Sequence, residues 1–386
     1  MNALRLYYLA IYIGLGAVLP LMALSMQARG FRPTQYAWLM ALMPLSRMLA
    51  PPLWGALSDK WLGTTRLLRL NTVLAALGML ALSQSRSFAT TWCAYALWAL
   101  FGSSLIPLSE AGTYQLLGER ASNFGYVRVF GSIGFALSAA AFGVFGVDAA
   151  FSSPFIVASA GYLLGSVVVR RMHDERPQGR VRLRGTLAQL ARKPDVLLLW
   201  LASTLYYGAH GAFDMYFGPH ARSVPGVTPG FVSLCWSIGV VFEVALFFVF
   251  PRFLRTDSNG RWLLFAAAVA CVRWFLLARA DTAWEVGLLA PLHAITFGLW
   301  YLVFVHENQS GSTPETRATV QGLGAACLGL GTSSATLLGG YVLERHGSRV
   351  LFELASFTAA LAGLLYAVRM LRLGSDKSLA SSQGRT

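Results

Sequence analysis

Apolar runs of about 20 residues recur from one end of this 386-residue chain to the other. A helix of that length spans the roughly 30 Å hydrocarbon core of a bilayer. Hydrophobic residues make up 55% of the chain and charged residues only 12%, whereas a soluble domain carries about 25% charged residues. The fold class predicted from this pattern is an all-α polytopic membrane protein, embedded in the lipid bilayer.

Twelve of these apolar segments are candidate transmembrane helices. They cover approximately residues 3–27, 36–58, 66–84, 90–117, 125–147, 151–169, 194–218, 228–250, 260–279, 283–306, 316–340 and 348–372. The widest polar gap follows the sixth segment. We therefore expect an N-terminal six-helix bundle over residues 1–169, a basic cytoplasmic linker over 170–193 and a C-terminal six-helix bundle over 194–373. The Ser/Gly-rich residues 374–386 are predicted to form a disordered cytoplasmic tail.

The net charge of +14 lies mostly in short loops between apolar segments. With the N-terminus inside, the inner segments hold 21 Lys and Arg residues and the outer loops hold seven. Positive charge concentrates on the cytoplasmic side of membrane proteins. The bias predicts cytoplasmic N- and C-termini and a multi-pass cell-membrane location, the inner membrane in a bacterium. It also argues against nucleic acid as a partner.

Several ionisable residues lie inside the apolar segments: Glu110, Arg128, Asp214, Glu243, Arg273 and His293. A charged side chain at the centre of a bilayer costs roughly 2.5–3.5 kcal/mol on insertion scales. Such residues usually face a cavity or a partner within the protein. Their number predicts a polar pathway through the molecule.

The sequence offers little support for enzyme chemistry or a bound cofactor. The four cysteines lie in apolar segments with no Cys-x-x-Cys pair, so we expect free thiols and no metal site. The chain carries no Gly-x-x-x-x-Gly-Lys-Ser/Thr sequence for nucleotide phosphates. We expect neither an enzyme nor an ATP-driven pump, and no catalytic residues.

Two acid–arginine combinations are candidates for solute binding and proton coupling. Glu110 and Arg128 lie in successive apolar segments, where they form either a structural ion pair or a clamp on a solute carboxylate or hydroxyl. Glu243 and Arg273 form either a static pair or a switch in which the arginine approaches and withdraws as the glutamate loses and gains a proton. His293 can accept or donate a proton near neutral pH, or it is a hydrogen-bonded core histidine.

Asp214 and His210 are four residues apart, on one face of the seventh predicted helix. Tyr207 and Phe213, together with Trp236 in the next segment, could stack against an aromatic or sugar ring. The alternative is an aromatic belt at the membrane interface.

The segment between the second and third predicted helices reads Gly55-Ala-Leu-Ser-Asp59-Lys60-Trp-Leu-Gly63-Thr-Thr-Arg66. It resembles the signature of the major facilitator superfamily, although Thr64 and Thr65 replace basic residues. The resemblance implies two six-helix bundles, alternating access, and a conformational gating role for Gly55, Asp59, Lys60 and Gly63.

A more specific resemblance, to the phenylpropionate permease group and its lactose permease relatives, rests on five segments. They are Pro107-Leu-Ser-Glu110, Tyr126-Val-Arg128 with Gly131 and Gly134, Trp236 to Glu243, Val272-Arg273-Trp274, and Leu292-His293 with Phe297-Gly298. Three spacings match that branch of proton symporters. They are 18 residues from Glu110 to Arg128, 29 from Asp214 to Glu243, and 20 from Arg273 to His293.

This chain departs from the lactose permease pattern at two positions. Thr296 occupies the place of the proton-carrying glutamate, and Ala290 the place of a lysine that would partner Asp214. Proton coupling is therefore expected to depend on Glu243, with Arg273 and His293.

The predicted function is secondary active transport of a small-molecule substrate with protons by a monomer. Arg128 and the aromatic residues favour an aromatic carboxylate such as a phenylpropionate. A sugar or nucleoside symporter, or an exporter or lipid transporter of the same fold, is the alternative.

Overall fold

The computed structural model describes residues 2–58, 62–117, 124–148, 150–170, 194–254, 259–310 and 317–383. Within these ranges the regular secondary structure is helical. The helices are α1 (Asn2–Val18), α2 (Met22–Ala28), α3 (Pro33–Met40), α4 (Leu42–Leu57), α5 (Thr64–Gln84), α6 (Phe88–Gly102), α7 (Leu105–Leu117), α8 (Phe124–Phe145), α9 (Ser153–Val169), α10 (Pro194–Ala221), α11 (Pro229–Val249), α12 (Gly260–Arg279), α13 (Ala283–Leu288), α14 (Trp300–Ser310) and α15 (Arg317–Gln383). A 3-10 turn follows α11 at Phe250–Phe253, and a π-helical segment, Ala294–Leu299, precedes α14.

Seven of the described helical stretches are long and apolar enough to cross a bilayer, or eight if α1 and α2 form one bent span. The two helices meet at an angle of 41°, and Pro20 lies in the break between them, where the missing amide hydrogen interrupts helical bonding. The all-helical membrane class is confirmed. The count of twelve spans and their division into two six-helix bundles remain predictions.

The last helix, α15, is interrupted at Gly347, whose φ of 82° is non-helical, so it consists of two helices that correspond to the eleventh and twelfth predicted segments. At its C-terminal end α15 continues through residues 374–383, where a disordered tail was expected. Leu379 and Ala380 favour helix in that stretch, and residues 384–386 lie outside the described part.

Close helix packing depends on small residues. α1 packs against α8 and α9, α5 against α6 and α9, and α15 against α10 and α12. A Cβ atom added to Gly134 of α8 would clash with the backbone of Leu9, and one added to Gly331 of α15 would clash with that of Thr204. Glycine is thus required where these backbones touch.

Helices from the two ends of the chain also meet. The backbone amide and hydroxyl of Thr34 in α3 donate to Glu344 of α15 at 2.9 and 2.5 Å. α8 contacts α11, where the Ser237 hydroxyl donates to the carbonyl of Ala136 at 2.9 Å. These contacts join residues before 170 to residues after 193.

The predicted gating segment is described in part. Gly55 lies in α4, and Gly63 precedes α5 with φ of 75°, a left-handed conformation that favours glycine. Asp59 and Lys60 lie outside the described residues, as does nearly all of the predicted basic linker, residues 171–193.

Candidate functional site

A small cavity lies between α10, α11, α12 and the chain that connects α13 to the π-helical segment. Its free volume for water is about 10 Å³, close to the minimum that admits one water molecule. Four of the predicted site residues line it: Phe213, Trp236, Arg273 and His293. The remaining lining residues are Phe217, Cys235, Leu277, Val286, Leu289 and Ala290.

Glu243 and His293 form a buried acid–base pair. Oε2 of Glu243 lies 3.4 Å from Nε2 of His293, and the two side chains are 10% and 7% exposed. Two glycines allow this approach, because a Cβ on Gly298 would lie 2.9 Å from Cγ of Glu243, and one on Gly239 would lie 2.9 Å from Cβ of His293. The sequence predicted both residues but not that they would be partners.

Arg273 does not pair with Glu243 in this structure. Its Nη1 donates to the hydroxyl of Thr296 at 2.6 Å, and its Nε donates to the carbonyl of Leu289 at 3.0 Å. The guanidinium carbon also lies 4.3 Å from the centre of the Phe213 ring. The cation is therefore held by two neutral oxygen atoms and an aromatic face.

A helix break after α13 supplies these acceptors. The amide of His293 donates to the carbonyl of Ala290 rather than to that of Leu289, and the Leu289 carbonyl is thereby available to Arg273. Pro291, which has no amide hydrogen, lies within the break. In the following π-helical segment the carbonyl of Thr296 accepts a hydrogen bond from the Tyr206 hydroxyl at 2.6 Å.

His210 and Asp214 come together on α10 as their spacing predicted. Nε2 of His210 lies 3.3 Å from Oδ1 of Asp214; the histidine side chain is 1% exposed and the aspartate 23%. Phe297 packs against both histidines, with its ring centre 5.4 Å from that of His210 and 5.3 Å from that of His293.

Aromatic rings surround the histidines. Tyr207 lies 5.8 Å from His210, and Trp236 lies 5.7 Å from His293, measured between ring centres. Trp274 and Phe297, which the sequence interpretation did not assign to the site, belong to the same group. Two signals could have identified Phe297: its position four residues after His293 and its place in the segment Leu292–Gly298 that carries the resemblance to the permease group.

Glu110 and Arg128 face each other between α7 and α8. Oε1 of Glu110 lies 3.5 Å from Nε of Arg128, and the side chains are 38% and 29% exposed. The guanidinium carbon lies 4.3 Å from the centre of the Tyr12 ring and 5.8 Å from that of Tyr8. This pair is more open than the Glu243–His293 pair.

The known proteins that this chain resembles include permeases and transporters. A model of the family described as MFS_1-like matches residues 1–354. The maltose permease of Geobacillus stearothermophilus is 27% identical over 379 residues, which cover 96% of each chain. A protein of Escherichia coli (strain K12) described as a probable 3-phenylpropionic acid transporter is 24% identical over 363 residues, covering 91% of this chain and 93% of that one.

Among solved structures, the nucleoside transporter NupG matches with a TM-score of 0.83. The alignment covers 96% of this chain and 98% of NupG at 15% sequence identity. At that identity the match concerns the fold alone.

Proposed function

Since the chain belongs to the major facilitator superfamily, we propose that it is a proton-coupled symporter of a small organic solute. The solute binds between Glu110–Arg128 and the aromatic residues of α10 and α11. The two halves of the molecule rock about this site and expose it alternately to each side of the membrane. Both termini are cytoplasmic, and the working unit is a monomer.

The buried Glu243–His293 pair carries the proposal of proton coupling. The carboxyl group and the imidazole are 3.4 Å apart and both are largely excluded from water. A proton can therefore be bound by either group and pass between them. Arg273 supports this role, because its hydrogen bonds to Thr296 and Leu289 hold it beside His293 without neutralising Glu243 directly.

The proposed substrate class is an aromatic carboxylate. Arg128 offers a planar guanidinium that a carboxylate can engage through two hydrogen bonds, and its pairing with Glu110 at 3.5 Å is long enough for a solute to compete. Tyr207, Phe213 and Trp236 supply ring faces. The relative described as a probable 3-phenylpropionic acid transporter supports this class.

A sugar is the second candidate. The maltose permease relative favours it, and Glu110 is a hydrogen-bond acceptor suited to sugar hydroxyls. The cavity beside Arg273 and His293 admits little more than one water molecule, so a solute that reaches these residues requires the surrounding helices to move apart.

Uptake by the purified protein in liposomes tests the proposal. We expect labelled 3-phenylpropionate to accumulate faster than in protein-free liposomes, which the neutral acid enters passively, when the external pH is lower than the internal pH, and to equilibrate only when the two are equal. Accumulation of maltose instead would assign the second candidate. An absence of pH-driven accumulation for aromatic acids, sugars and nucleosides alike would overturn the proposed proton coupling.

A further inference from the structure

His210 is a buried histidine whose ring nitrogens are poorly satisfied. The residue has no solvent exposure, and neither Nδ1 nor Nε2 has a hydrogen-bond partner among the described residues. The 3.3 Å approach of Asp214 to Nε2 is an ion-pair distance without the alignment of a hydrogen bond. Buried polar atoms without partners are rare in proteins and call for a specific explanation.

His220, near the end of the same helix, shows what a structural histidine looks like in this protein. It is also buried, but its Nδ1 lies 2.9 Å from the Ser348 hydroxyl and its Nε2 lies 2.8 Å from the Leu277 carbonyl. Both nitrogens therefore have fixed partners, which connect α10 to α12 and α15. His210 has no such structural role.

The surroundings of His210 place it between two acids. Asp214 lies on its own helix, one turn away, and His293 lies opposite with its ring centre at 5.5 Å. Glu243 of α11 lies beyond His293. Arg273 of α12 is a neighbouring cation, and both Arg273 and His210 pack against the Phe213 ring. At the neighbouring Gly211, the atoms of α15 closest to an added Cβ are Cα, Cγ2 and Cβ of Thr332.

Asp214 is the most exposed of the four groups, since the Glu243 side chain is only 10% exposed. The Asp214 side chain is 23% exposed, that of His210 1% and that of His293 7%. Asp214 is thus the member of the series that water reaches most easily. His293 and Glu243 lie at the far end, and the Nδ1 atoms of both histidines are buried and without partners.

We propose that His210 carries protons between Asp214 and the His293–Glu243 pair. This inference rests on the proposed proton coupling and assigns its route. An O–H bond on Asp214 breaks as an N–H bond forms on Nε2 of His210. The imidazolium then releases its Nδ1 proton toward Nδ1 of His293 across a gap that one water molecule can bridge. His293 finally passes its Nε2 proton to Oε2 of Glu243, and each ring ends in its other tautomer. Every ring gains one proton and loses one.

The short distance between the two rings makes the relay sequential. Two imidazolium cations at 5.5 Å in a water-poor interior repel each other strongly. Protonation of His293 to the imidazolium therefore disfavours protonation of His210, and the two rings together carry at most one positive charge. The proton that arrives at one site must leave the other.

The test compares His210→Gln with the matched variant His220→Gln. Both replace a buried histidine of α10 by an amide of similar size, which can form hydrogen bonds but cannot bind or release a proton near neutral pH. The full-length variants are placed in liposomes with a pH-sensitive dye inside, and pH-driven accumulation of labelled 3-phenylpropionate and maltose is measured beside equal-pH exchange of the same solute. We expect the ratio of accumulation to exchange to fall by about a hundredfold in His210→Gln, the scale of losing a positioned acid–base group. In His220→Gln the rates of pH-driven accumulation and of equal-pH exchange should fall by the same factor, so their ratio stays at the wild-type value.

Two outcomes separate this inference from the function on which it rests. If the wild-type protein accumulates solute and His210→Gln keeps the wild-type ratio, the relay is wrong and the symport proposal stands. If the wild-type protein shows no pH-driven accumulation, both are wrong. As a readout independent of transport, ¹⁵N resonances of the histidine side chains in the purified protein should show the His210 proton on both Nδ1 and Nε2, with the ratio of the two tautomers changed in Glu243→Gln. A His210 ring that keeps one neutral tautomer from pH 5 to pH 9 would overturn the relay.

Discussion

At the scale of single residues, the most informative feature is the environment of Arg273. A guanidinium with 2% exposure would be expected beside a carboxylate. It instead uses the Thr296 hydroxyl, the Leu289 carbonyl and the Phe213 ring. Hydrogen bonds that involve a charged group contribute roughly 1.5–3 kcal/mol each, so two such bonds and a ring offset part of the cost of burial.

Thr296→Val removes the acceptor for Nη1 of Arg273 while retaining the shape of the side chain. We expect the free energy of unfolding to fall by about 1.5–3 kcal/mol, because a buried cation loses a partner. Thr358→Val is the matched control, since both hydroxyls donate to the carbonyl four residues earlier and only that of Thr296 also accepts from an arginine. Thermal denaturation in detergent should show a lower Tm for Thr296→Val. Equal decreases in Tm for Thr296→Val and Thr358→Val would contradict the role of the Thr296 hydroxyl as a partner of Arg273.

The sequence located these residues but not all of their partners. Ionisable residues in apolar segments stand out against their neighbours, and the spacing of His210 and Asp214 on one helix is enough to bring them together. The partner of Glu243 could not be predicted in that way. It depends on the helix break at Pro291 and on two glycines, Gly239 and Gly298, whose effect appears only when three helices are packed.

At the scale of elements, the π-helical segment Ala294–Leu299 positions the site. Single π-helical turns are uncommon in proteins as a whole, but those that occur are often at functional sites. This one follows His293 directly and turns the Thr296 hydroxyl toward Arg273 and the Thr296 carbonyl toward Tyr206. A continuous helix over residues 283–306 was expected from hydropathy, because apolar composition does not reveal where helical hydrogen bonding is interrupted.

Gly298→Ala tests whether the close packing of this segment against α11 matters for transport. The added Cβ would lie 2.9 Å from Cγ of Glu243 and would displace that side chain from His293. We expect pH-driven accumulation to fall about tenfold or more, on the scale of a catalytic geometry disturbed by 1 Å. Gly322→Ala, where the added atom meets open space, should keep wild-type uptake. Wild-type accumulation by Gly298→Ala would mean that the precise position of Glu243 is unimportant.

At the scale of the whole molecule, contacts between the two ends of the chain are unevenly distributed. Thr34 and Glu344 are hydrogen bonded, and glycine at position 340 allows α15 to touch Ala37. The Glu110–Arg128 pair, by contrast, is more than a quarter exposed on both sides. A molecule tightly joined in one region and open in another is the arrangement from which a rocking motion can start.

The division into two halves remains a prediction from the central basic segment, residues 170–193. The family match covers residues 1–354 and agrees with a transporter, but the relative motion of the halves is a property of at least two conformations. Sequence patterns describe which residues are buried in the average structure. They do not determine which contacts separate during a transport cycle.

Proton movement in Glu243→Gln tests the central claim most directly. The variant keeps the size of the side chain and its ability to hydrogen bond but cannot bind a proton. Wild-type and variant proteins are placed in liposomes with a pH-sensitive dye inside, and labelled 3-phenylpropionate and maltose are supplied with and without a pH gradient. We predict that the variant still exchanges solute across the membrane but neither accumulates it against a gradient nor acidifies the interior during uptake. Solute-dependent proton entry at the wild-type rate in Glu243→Gln would contradict the account.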